Sequence, residues 1–166
     1  MGIFSPDLLQ YVIRPTLERL GEFNPQAQMQ LLLTAACESN LGEHIQKQSL
    51  GFGLYRISAK AHQQHWDEYL AFKPDLASDI RGLASQHEFL SHPHLELTTN
   101  LSYATAIAYS MYQKQTPHWP KEFDLIAMAT LWATTFDHPV DKAILQFKDS
   151  YQLIKDQLTM SDDLVA

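Results

Sequence analysis

The chain has 166 residues and a formal net charge of −7 with histidine neutral, and 45% of its residues are hydrophobic. This length and this apolar fraction predict one soluble globular domain, covering residues 1–166, with a single core. The negative charge offers little attraction to a phosphate backbone, so nucleic acid is excluded as an expected partner.

Export and membrane signals are the next features to test. No apolar run approaches the ~20 residues that a membrane span needs, so we expect no membrane partner. The first residues, Met1–Asp7, have no basic n-region and no continuous apolar segment, so we expect no signal peptide and synthesis in the cytoplasm. The single cysteine, Cys37, cannot form an internal disulfide, and its apolar neighbours favour a buried thiol.

Helix signals dominate the N-terminal part of the chain. Ser5-Pro6-Asp7 predicts an N-cap followed by proline in the first turn, in a helix that ends at Gly21. Asn24-Pro25 opens a second helix in the same way, and its stretch Leu31–Cys37 is apolar on nearly all sides. Because such a helix belongs in the middle of a core, we predict that the second helix, ending near Glu38, is the central element.

The helical pattern breaks between Gly42 and Ile57 and then resumes. The glycine-containing stretch 51–57 is typical of a turn or a short extended piece. Further helices are predicted from Ser58 to about Phe72, from Pro74, from Asn100 to about Lys114, from Trp119-Pro120 through Leu131, and from Pro139 to Leu158, with an acidic tail that frays after about residue 159. The predicted fold class is all-α, or α+β with no more than a minimal β hairpin in the glycine loop.

Glu38 is the candidate catalytic residue. Cleavage of a glycosidic bond needs a carboxyl group that can give a proton near neutral pH, and apolar surroundings disfavour the carboxylate anion. Taken alone, a glutamate at a helix end is more typical of a solvated surface residue. The case for catalysis therefore depends on the motifs around it.

Those motifs begin directly after the second helix. Glu38-Ser39 is followed fifteen residues later by Gly53-Leu54-Tyr55-Arg56-Ile57. This arrangement resembles the Glu-Ser … Gly-Leu-x-Gln-Ile/Met pattern of soluble lytic transglycosylases and goose-type lysozymes. It is most similar to the small lysozyme-like proteins of tailed bacteriophages, in which a histidine and then a tryptophan follow on the next helix, here at His62 and Trp66.

The likeness continues along the chain, from about residue 25 to residue 155. Asn100 resembles the start of the family's later asparagine-led helix, and Leu131–Pro139 resembles the segment that carries its Tyr-Asn motif. The resemblance implies a lysozyme-like helical domain with the glycine loop beside a cleft. It implies a muramidase or lytic transglycosylase that cleaves peptidoglycan strands at the β-1,4 bond between N-acetylmuramic acid and N-acetylglucosamine, with Glu38 as general acid. The substrate-binding residues that it implies are Ser39, Tyr55, Arg56, Asn100, Phe136 and Asp137.

Three positions depart from the family's pattern. Arg56 brings a positive charge to the position of a neutral glutamine, and near Glu38 it would stabilise the anion rather than the acid. Phe136 lacks a hydroxyl, and Asp137 adds a negative charge that can pair with Arg56. These departures leave an alternative open: a catalytically impaired glycan-binding or structural virion protein, with other virion proteins as partners. Such a protein would reach the cell wall through a virion, a holin-type route or cell lysis.

Other chemistries find little support in the sequence. The eight histidines show no His-Glu-x-x-His pattern and no zinc-finger spacing, and no nucleophile elbow or nucleotide-binding loop occurs. We therefore predict no metal and no cofactor. The sequence leaves open whether the bond is hydrolysed or closed to a 1,6-anhydro sugar. Inverting hydrolysis needs a second carboxylate roughly 6.5–9.5 Å from the acid, for which Glu43, Asp67 and Asp137 are candidates.

Overall fold

The computed structural model describes residues 2–44 and 51–165, the last four of these by their backbone only. The chain is 71% helical and the described residues form no strand, so the predicted all-α fold class is confirmed. The predicted hairpin is reduced to one isolated antiparallel bridge between Phe52 and Ile57. None of the described helices has both the length and the apolar character required to cross a membrane.

The helices of the described residues follow one another with short connections. In chain order they are α1 (Ser5–Leu8), a π-helical segment (Leu9–Ile13), α2 (Arg14–Arg19), α3 (Pro25–Ser39), α4 (Ala59–Glu68), a 3-10 turn (Leu70–Phe72), α5 (Pro74–Arg81), α6 (Gln86–Ser91), α7 (Glu96–Thr99), α8 (Leu101–Gln115), α9 (Leu125–Phe136) and α10 (Val140–Val165). Helix α10 continues to Val165 and so includes most of the acidic tail. No glycine or proline follows Pro139, so each further residue adds a hydrogen bond to an existing helix.

The predicted central helix is α3, and the prediction is confirmed. The Asn24 side chain accepts a hydrogen bond from the backbone N–H of Gln26, and Pro25 occupies the first turn. Leu31, Leu32 and Leu33 are all 0% exposed, because α3 packs against α8, α9 and α10. A helix that is buried on several sides holds the residue at its end in a fixed place.

The end of α3 and the glycine loop are joined by a side chain. The Ser39 hydroxyl donates to the carbonyl oxygen of Leu54 at 2.7 Å and accepts from the backbone N–H of Gly42 at 2.9 Å. Gly53 has φ +70, and a Cβ at that position would lie 1.7 Å from the carbonyl oxygen of Leu97. Only glycine fits this close approach, which seats the loop against the segment before α8.

Candidate active site

Glu38 lies in the last turn of α3 and is only 7% exposed. Trp132 Nε1 donates a hydrogen bond to Glu38 Oε1 at 2.9 Å, and His138 Nε2 lies 2.6 Å from the same oxygen. The second carboxylate oxygen, Oε2, accepts no hydrogen bond from residues 2–44 or 51–165. The carboxyl group is therefore fixed through one oxygen, while the other has no hydrogen-bond partner among the described residues.

Helix α9 and the turn that follows it position the two partners of Glu38. Asp137 ends α9 in the left-handed conformation, with φ 58, and the backbone N–H of His138 donates to the carbonyl oxygen of Ala133 at 2.9 Å. This turn folds the His138 ring back to a centroid distance of 4.5 Å from the Trp132 ring. Trp132 is in turn stacked on Phe147 of α10 at 5.2 Å, so the indole donor is held by packing on both sides.

The charge at this site resides on the glutamate and the histidine. The hydrogen bond to Glu38 raises the pKa of His138 above its ordinary value, although partial burial opposes the shift; the charges of Glu38 and Asp137 add to it. Cys37 is half-buried, and burial raises the pKa of its thiol to about 12. Burial also raises the pKa of Tyr112. Because burial disfavours the charged forms of Cys37 and Tyr112, Glu38 and His138 are the titratable partners in direct contact at this site.

Three of the predicted substrate-binding residues lie together. Arg56, Phe136 and Asp137 line one surface groove of about 440 Å³, with Lys60 and Ser58 at the start of α4. Glu38 is not among the residues that line this groove. Arg56 has φ 46, and its Nη2 donates to the carbonyl oxygen of His44 at 3.2 Å. Within the described part of the chain it forms no ion pair with Asp137 or Glu38, so the expected charge pairing is wrong.

The remaining predicted substrate-binding residues have structural roles, and none of them lines this groove. Ser39 is 0% exposed and joins α3 to the glycine loop, as described above. Tyr55 is 0% exposed, and its hydroxyl lies 3.0 Å from Thr105 Oγ1 in the core. Asn100 caps α8 by accepting from the backbone N–H of Tyr103, and its amide donates to the Leu83 carbonyl oxygen and to Glu96. The hydroxyls of Ser39 and Tyr55 are thus buried and paired, and the side-chain amide hydrogens of half-buried Asn100 are bonded within the protein.

The sequence analysis did not identify His138 and Trp132 as partners of Glu38. Both lie in the segment 131–139 that was singled out for Phe136 and Asp137. Trp132 and His138 are 94 and 100 positions from Glu38 along the chain, so local spacing carries no signal for the contact. His138 directly follows the two positions that resemble the family's Tyr-Asn motif, and this feature of the sequence could have indicated a contact with Glu38.

A second cluster of histidines lies away from Glu38, on α4 and its neighbours. His62 Nδ1 is 2.9 Å from His94 Nδ1, and His62 Nε2 is 2.8 Å from the Tyr103 hydroxyl. His65 Nε2 is 2.7 Å from Ser110 Oγ. Burial, as the largest cause, lowers the pKa of both His62 and His65 to about 4. No group of three or more metal-binding side chains occurs among the residues that the structure describes.

Comparisons with known proteins give no indication of the chemistry at this site. No protein-family model matches this chain, and neither a curated protein nor a solved structure does.

Proposed function

We propose that this protein cleaves peptidoglycan glycan strands at the β-1,4 bond between N-acetylmuramic acid and N-acetylglucosamine, as a muramidase or lytic transglycosylase with Glu38 as general acid. One observation carries the proposal. The Glu38 carboxyl group is 7% exposed at the end of the central helix, with Oε1 held by two ring nitrogens and Oε2 left to a ligand. The Glu-Ser pair and the glycine loop at matching spacing support the same function.

The arrangement suits proton donation to a sugar oxygen. The leaving oxygen needs a proton as the glycosidic bond breaks, and Oε2 is the oxygen that can hold one toward a substrate. Once the proton has left, the negative charge is stabilised by the Trp132 N–H, which is already in place at 2.9 Å. A donor that does not have to reorganise stabilises the transition state more than water does.

The groove lined by Arg56, Lys60 and Phe136 is the proposed path of the glycan strand. Its volume of about 440 Å³ and its mixed aromatic and cationic lining suit sugars that carry acidic lactyl-peptide substituents. Asp137 lines this groove too, whereas Asp67 lines a different cavity. Among the candidate second carboxylates, Asp137 is therefore the one that we propose for positioning water, if the products show hydrolysis with inversion.

A second function is favoured by a specific observation. A Glu38 anion beside an imidazolium has no proton to give, and such a pair fits a protein that binds glycan without cutting it, as a virion component that contacts other virion proteins would. Under this alternative the groove remains and the chemistry is lost.

The test is a turbidity assay on purified peptidoglycan, run with wild type, Glu38→Gln and the exposed-site control Glu18→Gln. We expect clearing by wild type and by Glu18→Gln, and none by Glu38→Gln, whose retained fold is checked by circular dichroism. Mass spectrometry of the released sugars then separates hydrolysed from 1,6-anhydro ends. Cosedimentation with peptidoglycan without clearing, for all three proteins, would support the binding alternative.

A further inference from the structure

We infer that His138 is a positioning residue that makes cleavage by Glu38 depend on acid pH: the competent pair holds two protons, one on the imidazole and one on Glu38 Oε2. This inference rests on the proposed function, since it concerns the proton that Glu38 would donate. It goes further by assigning an atom to each proton and a pH range to the activity.

The hydrogen bonds assign the two oxygens of Glu38 to different tasks. An indole nitrogen is a donor only, so Oε1 must accept from Trp132 Nε1. His138 Nε2 lies 2.6 Å from the same oxygen, a short contact that fits a charge-assisted hydrogen bond in which the imidazolium donates. Oε1 is thus the acceptor oxygen in both protonation states of the carboxyl group. A proton destined for a substrate has to sit on Oε2.

The number of protons shared by Glu38 and His138 distinguishes an inactive state of the pair from a competent one. With one proton on the pair, the imidazolium faces a carboxylate, and Oε2 has nothing to donate. With two, Oε1 accepts from the imidazolium while Oε2–H faces the ligand. The step then balances: the Oε2 proton passes to the glycosidic oxygen, which keeps the electron pair of the broken C1–O bond. The sugar cation that remains is captured by water or by its own 6-hydroxyl, and either capture releases one proton.

The surrounding charges keep the first proton on His138. The titratable groups that act on His138 are Glu38 and Asp137, both of which favour its cation. The groups that feel the charge of Glu38 from α3 and α8 are Cys37 and Tyr112, which burial holds neutral. Because its hydrogen bond to Glu38 raises the pKa of His138, the imidazolium persists to a higher pH than in an unpaired histidine, and its positive charge 2.6 Å from Oε1 opposes the arrival of the second proton. Activity should therefore rise as the pH falls below neutral.

The matched variants separate the charge of His138 from its hydrogen bond. His138→Gln keeps an N–H near the Nε2 position and removes the charge, so the pH at which kcat/KM falls should move upward by about one unit or more, which is roughly tenfold more activity on the alkaline limb. His138→Ala removes both, and should lose activity at every pH. His87→Gln changes a histidine whose side chain is 91% exposed, and its profile should superimpose on that of wild type.

The measurement is the pH profile of kcat/KM on soluble glycan strands from about pH 5 to about pH 8, with circular dichroism confirming the fold at each point. NMR titration of the His138 ring in wild type and in Glu38→Gln adds a readout without turnover, in which the His138 pKa should fall when the carboxylate is removed. The inference is overturned if the pH profiles of His138→Gln and wild type superimpose. If Glu38→Gln does not cleave in the same experiment, the proposed function still stands. Wild type that fails to cleave at any of these pH values would overturn both.

Discussion

Two histidine regions of this molecule respond to their surroundings in opposite directions. His138 is partly exposed and contacts a carboxylate, and its pKa is raised. His62 and His65 are 1% and 4% exposed and contact hydroxyls and another imidazole, and burial lowers their pKa to about 4. Burial disfavours the imidazolium in both regions. A charged partner, rather than depth alone, therefore sets the direction in which the pKa of a histidine of this protein shifts.

The largest expected effect comes from removing the charged partner. Glu38→Gln should lower the cleavage rate by roughly 10²–10⁴, because glutamine has no proton to give to the leaving oxygen. The same change turns His138 into a half-buried histidine with a neutral partner, which would make it resemble His62. Turnover and the His138 titration are the two measurements. An unchanged His138 pKa in the variant would break the comparison between the two regions.

Acid should destabilise the fold through the buried cluster. His62 and His65 have a folded pKa of about 4 and an unfolded value of 6.5. Their stabilising contribution is complete above pH 6.5 and is lost as the pH falls toward 4, by about 3 kcal/mol for each histidine. Urea unfolding at several pH values across this range measures the loss.

His62→Gln is the control for that acid transition. Glutamine can bond the Tyr103 hydroxyl and does not titrate, so the variant should show about half of the wild-type loss on acidification. A wild-type free energy of unfolding that stays level across this range would contradict the assignment of His62 and His65 as neutral residues.

A smaller effect is expected from the second donor to Glu38. Trp132→Phe keeps an aromatic ring against Phe147 and removes the indole N–H, which should lower the free energy of unfolding by about 1.5–3 kcal/mol, the value of a hydrogen bond to a charged group. His138 then becomes the remaining donor to Oε1, and its pKa should rise further. Trp119→Phe, away from the site, should leave the His138 titration unchanged, as followed by NMR.

The smallest expected effect is on the alkaline side. Since the folded pKa of His138 is raised, its contribution to stability is present below the unfolded value of 6.5 and is lost as the pH rises through the folded value. The effect is small because the His138 side chain is 35% exposed and solvent screens the pair. Wild type should therefore lose slightly more stability than His138→Gln between about pH 6 and about pH 9 in urea unfolding. Parallel curves would indicate that the pair does not stabilise the fold.

The all-α class and the location of Glu38 at the end of a central helix could be predicted from the sequence alone. Apolar residues on every side of 31–37 required a central helix, and Asn24-Pro25 set where it begins. Gly53 lies where another part of the backbone approaches so closely that there is no room for a side chain. These are properties of neighbouring residues, so periodicity and local conformation suffice to predict them. They also place Glu38 at the end of the central helix.

Which side chains contact Glu38 at the end of α3 depends on the tertiary structure. Trp132 and His138 reach Glu38 from 94 and 100 positions away. Trp132 does so because α9 packs on α3, and His138 because the left-handed turn at Asp137 follows α9. Tyr55 has the spacing of a cleft residue, yet it turns into the core against Thr105. Spacing along a chain predicts which residues share an element. The partner of a buried polar group depends on how separate helices pack, which no local pattern records.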